Sequence, residues 1–219
     1  MTVNINPLRP DNTVLALVDH QPFVLFPVES HGRTEIISNV TALAGAAKAL
    51  GVPTVLSTIN GRGGPLADPL FTQISSLFPD VEPIDRTNTN AWSDPEFVAA
   101  VRETARPNLV IAGLWTEVCV QQTALSARKD GLDVFVVSDA SGGMTREAHD
   151  DAKARLAAAG IPSMTWMSLV AELAPDNTSA EYQSLYPVLG EHGGPLAMNV
   201  QYVMAQLEAG TVSVPSASA

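Results

Sequence analysis

Apolar and polar positions along this chain switch between two periods. Thr13–Val18 is a continuous apolar run that stops at Asp19, the pattern of a strand buried on both faces. After a loop marked by Pro22 and Pro27, apolar residues recur at helical spacing from Glu35 to Leu50, and Gly51 closes that helix. Pro53–Thr58 predicts a second strand and Asp68–Leu77 a second, shorter helix. A third strand over Val81–Ile84 runs out at Asp85-Arg86. Asp94-Pro95-Glu96 opens a helix, with Asp94 as N-cap and proline in the first position, and this helix extends to Thr104. The strand Leu109–Leu114, the helix Glu117–Lys129 and the strand Asp133–Ser138 follow. The helix Arg146–Ala159, closed by Gly160, and the strand Ile161–Thr165 complete the series.

Strands that alternate with helices and lack polar alternation predict an α/β, doubly wound domain. Its six-stranded, mostly parallel sheet is covered by helices on both faces. Of the two common strand orders, 3-2-1-4-5-6 places the first and fourth strands together at the switch point, where such sheets bind ligands. Residues 1–174 hold this domain, and residues 175–219 form a C-terminal helical extension with helical stretches over Ala180–Leu189 and Leu196–Glu208. The small, polar residues Thr211–Ala219 have the composition of a frayed end.

The composition is that of an ordinary globular protein, and the net charge of −11 argues against nucleic acid or an anionic membrane as partner. No apolar run approaches the ~20 residues of a membrane span, and Met1–Pro10 has no basic region followed by an apolar core. A single cysteine rules out an intrachain disulfide framework and suits the cytoplasm, the location expected here. Asp19-His-Gln-Pro-Phe lacks the dinucleotide glycines, and Gly61-Arg-Gly-Gly-Pro lacks the Lys-Ser/Thr ending of a phosphate loop. No cofactor is expected.

The one cysteine, Cys119, follows the fourth strand and falls inside the first turn of the next helix, with Thr116 as the expected N-cap. Backbone amides and the helix dipole at that position favour a thiolate. The plain alternative is a small buried hydrophobe. Asp19 ends the first strand and Arg86 the third, so the switch point would collect Asp19 and Cys119, with Arg86 reaching them if its loop folds inward.

Val18-Asp19, Arg86 with Ala91-Trp92 behind it, and Gly113-Leu-Trp-Thr-Glu-Val-Cys119-Val resemble the isochorismatase-like cysteine hydrolases over residues 11–173. Within that group the chain is most similar to the YcaC-like hydrolases. The resemblance implies acyl transfer on a small amide or carbamoyl compound. Cys119 is then the nucleophile, Asp19 the base and Arg86 the support, with an oxyanion site at the amides of Cys119 and Trp115 across a cis Leu114–Trp115 bond. Arg86 stands where the family most often has lysine, which removes a proton shuttle but keeps the charge. Thr58-Ile-Asn-Gly-Arg stands where nicotinamidases carry metal-binding histidines, so no catalytic metal is expected.

Phe23, Asn60, Asn88, Asn90 and Trp92 are candidates for substrate binding. His20, next to Asp19 on a strand, points to the opposite face and forms no dyad with Cys119. His31, His149 and His192 read as solvated, and Asp139 as a partner for loop amides. An isochorismatase-type vinyl ether hydrolase, which needs no cysteine, and a non-catalytic thiol sensor or scaffold are the competing functions. Apolar residues in the extension, among them Tyr182, Tyr186, Val200 and Tyr202, lie beyond an already complete core. Together with the resemblance they predict a homo-oligomer, a tetramer or octamer.

Overall fold

A computed structural model of the chain describes residues 7–63 and 68–211. Its six strands are β1 (Thr13–Val18), β2 (Thr54–Ile59), β3 (Ile84–Arg86), β4 (Asn108–Gly113), β5 (Asp133–Val137) and β6 (Ser163–Met164). They pair in parallel throughout, in the order β3-β2-β1-β4-β5-β6. The helices of the first half are α1 (Pro22–Leu25), α2 (Arg33–Ala49), α3 (Thr72–Ser75) and α4 (Pro95–Glu103). Those of the second half are α5 (Gln121–Lys129), α6 (Arg146–Ala158) and α7 (Trp166–Leu173), then α8 (Ala180–Gln183), α9 (Tyr186–His192) and α10 (Pro195–Glu208).

The apolar strands serve two cores because successive side chains leave a strand on opposite faces. Leu15, Leu17, Val110 and Ala112 pack with α2, α7 and α9 on one face. Val14, Ala16, Val18, Leu109 and Ile111 pack with α4, α5 and Leu156 of α6 on the other. Gly113 marks the tightest contact between the central strands: a Cβ there would lie 2.5 Å from the Val18 carbonyl oxygen.

Several elements differ from the sequence expectation. β3 starts at Ile84 rather than Val81, because Pro83 has no N–H to give to the ladder and pairing begins at Ser57↔Ile84. The helix expected over Asp68–Leu77 is only α3, since the Phe71 N–H is taken by the His20 carbonyl and Phe71 is extended (ψ 131). Part of the Gly61-Arg-Gly-Gly-Pro loop lies outside the described residues, as does nearly all of Thr211–Ala219. The loop after Asp19 contains the short helix α1, with Pro22 in its first turn. α7 was not anticipated, although Trp166, Leu169, Val170 and Leu173 are spaced to bury one helical face and Thr165 caps it. The stretch Ala180–Leu189 is two helices, α8 and α9, with Pro187 in the first turn of the second.

The C-terminal helices divide between two environments. Leu185 and Leu189 are buried against the body, and a Cβ on Gly45 of α2 would lie 3.1 Å from Val188. On α10, Met198 and Tyr202 remain 73% and 67% exposed. Among the described residues no helix is long and apolar enough to cross a membrane.

Candidate active site

The carboxyl ends of β1, β2, β3 and β4 converge on one polar cluster. Register fixes this: Val18 pairs with Gly113 on one side and Ser57 on the other, and Ile59 pairs with Arg86. Asp19, directly after β1, has a positive φ of 60°, a conformation that costs a non-glycine residue on the order of 1 kcal/mol and concentrates at functional sites. Its N–H donates to the Ser57 carbonyl at 2.9 Å, which anchors the turn.

Arg86 does not need its loop to fold inward. It ends β3 itself, and its side chain crosses the end of β2 to reach β1. Nε donates to Ser57 Oγ at 3.1 Å, Nη2 donates to Asp19 Oδ2 at 2.6 Å, and Nη1 donates to the Asn88 carbonyl. Both ionic side chains are buried. Asp19 Oδ1 is left buried without a hydrogen-bond partner among the described residues.

Cys119 lies in a π-helical turn, Thr116–Val120, that leads into α5. Thr116 is not the N-cap. It belongs to the turn, its Oγ1 is 2.9 Å from His149 Nδ1, and its N–H donates to the Gly142 carbonyl. His149 is therefore buried rather than solvated, and desolvation lowers its pKa to about 4. The Leu114–Trp115 peptide bond is cis. The Trp115 N–H makes no hydrogen bond among the described residues, while its indole Nε1 donates to the Val24 carbonyl at 2.7 Å.

The expected accessible thiolate is not what the fold builds. Cys119 is only 4% exposed, and burial, reinforced by the Asp19 carboxylate, pushes its pKa up to about 12; Arg86 acts in the opposite direction. Thr116, the first residue of the π turn, spends its N–H on the Gly142 carbonyl, so that amide does not face the thiol. Burial likewise raises Asp19 to about 6, against the opposing pull of Arg86 and of the Cys119 thiol. At neutral pH the cluster therefore rests as a protonated thiol beside an ionised carboxylate.

A pocket of about 140 Å³ opens onto Cys119. Phe23, Val24, Ile59, Trp115 and Val118 make its apolar walls, and Gln21, Asn60 and Thr89 its polar edges. Gln21 holds the wall together by accepting from the Ile59 N–H at 2.8 Å and donating to the Asp68 carbonyl at 2.6 Å. Of the anticipated binding residues, Phe23 and Asn60 line this pocket and three do not. Asn88 gives its carbonyl to Arg86, and its side chain accepts from the Asn90 N–H. Asn90 bonds Ser126 and caps a short 3-10 turn, and Trp92 is packed into the core with its Nε1 on Asp130.

Ser57, Gln21, Thr89 and Val118 were missed. Ser57 carried a faint signal, a hydroxyl inside an otherwise apolar strand. His20 is buried with Nε2 2.9 Å from the Ala140 carbonyl, and Asp139 accepts the Trp166 N–H at 2.8 Å. Among the described residues no group of three or more His, Cys, Asp or Glu is placed to hold a metal ion. A groove of about 230 Å³ at α8, α9 and α10 is lined by Tyr182, Tyr186, Asn177, Asn199 and aliphatic side chains, and shares no residue with the Cys119 pocket.

An all-parallel doubly wound sheet with a thiol, a carboxylate and a guanidinium gathered at its switch point defines an α/β protein of the isochorismatase type. The chain belongs to the isochorismatase family: residues 13–168 match the isochorismatase domain. It is 42% identical over 172 residues to the probable hydrolase YcaC of Escherichia coli strain K12, covering 77% of this chain and 81% of that protein. The structure of YcaC from Pseudomonas aeruginosa with hexane-2,5-diol and covalent acrylamide superposes with a TM-score of 0.86 at 36% identity, over 92% of this chain and 99% of that one. The E. coli YcaC structure, an octameric hydrolase of unknown specificity, gives 0.85 at 34% identity, over 95% and 99% of the two chains.

Proposed function

We propose that this protein is a hydrolase that cleaves the C–N bond of a small amide or carbamoyl compound through a thioester on Cys119. The observation that carries this reading is a buried Asp19, held by Arg86 and interacting with the chain's only thiol, which itself lines a small pocket.

Cys119 Sγ attacks the carbonyl carbon while Asp19 takes the thiol proton. Because the resting thiol is protonated, this transfer runs with the attack rather than before it. The negative charge that develops on the carbonyl oxygen meets the N–H groups of Trp115 and Cys119. As the C–N bond breaks, Asp19 returns the proton to the leaving amine. Water then attacks the thioester, giving its proton to Asp19, which passes it to the departing thiol. A carboxyl poised near 6 can both accept and return a proton near neutrality. Arg86 keeps its charge throughout and acts by electrostatics and position.

On the same reading, residues 175–219 extend the hydrolase body of residues 1–174. The exposed face of α10 packs on another copy in a tetramer or octamer, and the protein works in the cytoplasm. The octameric E. coli YcaC supports the assembly, and the covalent acrylamide in the Pseudomonas structure supports a small primary amide as ligand. A vinyl ether hydrolase would not need Cys119. A screen of small amides with ammonia detection separates the two. Release of ammonia by the native protein and none by Cys119→Ala supports the amidase, and equal turnover by both would end it.

A further inference from the structure

We infer that the Cys119 pocket selects uncharged acyl compounds with a short apolar substituent on the carbonyl and excludes those that carry a carboxylate. This deepens the amidase reading above and rests on it for the reaction, but the selection itself follows from the pocket. Phe23, Val24, Ile59, Trp115 and Val118 present no group that could pair with an anion, and the polar edges are neutral side chains. Among the described residues the cation that acts on Cys119 is Arg86, which already donates from all three nitrogens, to Ser57, Asn88 and Asp19.

The charges around the pocket add to this. Asp68 accepts the Phe23 N–H at the rim, and Asp85 acts on Asp19 through space, raising its pKa. Arg62, in the loop after β2, is paired with Glu82 at 2.6 Å. A carboxylate entering here would lose its water to apolar walls, find no free cation among the described residues that line the pocket, and face a chain with a net charge of −11. The room of about 140 Å³ lies well below the ~300 Å³ at the small end of drug-sized sites, so the substituent is a few carbon atoms.

Because the chain has one cysteine, alkylation reads this pocket alone. Iodoacetamide and iodoacetate differ by little more than charge. In each, the sulfur displaces iodide, forming S–C as C–I breaks, while the thiol proton leaves to Asp19. The ratio of their rates at Cys119, divided by the same ratio for a small free thiol, is expected to be about 30 or more. Phe23→Lys puts a cation at a rim position that is 53% exposed and should bring that ratio down toward one. A normalised ratio near one in the native protein overturns the inference.

Turnover of 4-methylpentanamide against succinamate, in which a carboxylate replaces the isopropyl group, keeps the two ideas apart. Hydrolysis of the first alone supports both. Equal hydrolysis of both amides overturns the charge selection and leaves the amidase standing. Selective alkylation with neither amide cleaved by a folded protein overturns the amidase reading and leaves the charge selection standing.

Discussion

Arg86 reaches Asp19 across an intervening strand: its Nη2 donates to Asp19 Oδ2 at 2.6 Å although β2 separates the strands that the two residues end. Ser57, at the end of β2, supports the bridge by accepting from Nε. The pair is buried, so removing one partner strands the other's charge. Arg86→Leu is expected to destabilise the fold by about 3–5 kcal/mol and to drive the Asp19 carboxyl further up. Arg86→Lys keeps a charge but cannot satisfy three acceptors in a planar fork, so it should fall between the two. Urea unfolding decides this, and a leucine variant as stable as the native protein would refute the bridge.

The thiol itself should be sluggish. A buried Cys119 with a pKa near 12 holds less thiolate at pH 7 than an ordinary free cysteine, so iodoacetamide should modify it more slowly than a small thiol. In Asp19→Asn the carboxylate that helps to hold the thiol up is gone while Arg86 keeps its charge, so the pH profile of alkylation should move to lower pH. Rapid labelling of the native protein, or a profile unmoved in Asp19→Asn, would mean that the thiol is set by something other than burial and Asp19.

The sequence made the strands and the three polar strand ends legible, because these follow from apolar runs and from where each run stops; the strand order, and with it the switch point, was one of two common choices for such a series. Asp19, Arg86 and Cys119 stand at such stops. The electrostatic state of Cys119 was not legible: a position just after a strand and a threonine looked like an open helix start, whereas the chain builds a π turn and turns Thr116 toward His149. The pocket walls were half legible. Asn88, Asn90 and Trp92 were attractive as polar or aromatic residues near Arg86, but capping and core packing claim them. Thr89, between two of them, is the residue that faces the pocket. Local hydrogen bonding of this kind depends on distant partners such as Ser126 and Asp130, which spacing along the chain does not reveal.

Activity should have an acid limb near pH 6. Below it Asp19 is protonated and cannot take the thiol proton, so kcat/KM should fall about tenfold per pH unit. The limb should be absent in any residual activity of Asp19→Asn. A profile flat from pH 5 to pH 8 would exclude Asp19 as the base.

His20 makes a separate, structural prediction. Burial lowers its pKa from 6.5 to about 4, so between those values the unfolded chain binds a proton that the folded one does not. Folded-state stability from this group is present above pH 6.5 and is lost as the pH falls toward 4, by about 3 kcal/mol. His20→Phe lacks that loss, so its stability relative to the native protein should improve by a similar amount over the same interval. Parallel stability–pH curves for the two proteins would show that His20 titrates as if solvated.

The thioester can be sought directly. Native protein mixed with a hydrolysable small amide, quenched in acid within the first turnovers and weighed intact, is expected to carry one acyl group, located on Cys119 after digestion and absent from Cys119→Ala. Full turnover by Cys119→Ala, with no acyl adduct on the native protein, would contradict the nucleophile and the mechanism built on it.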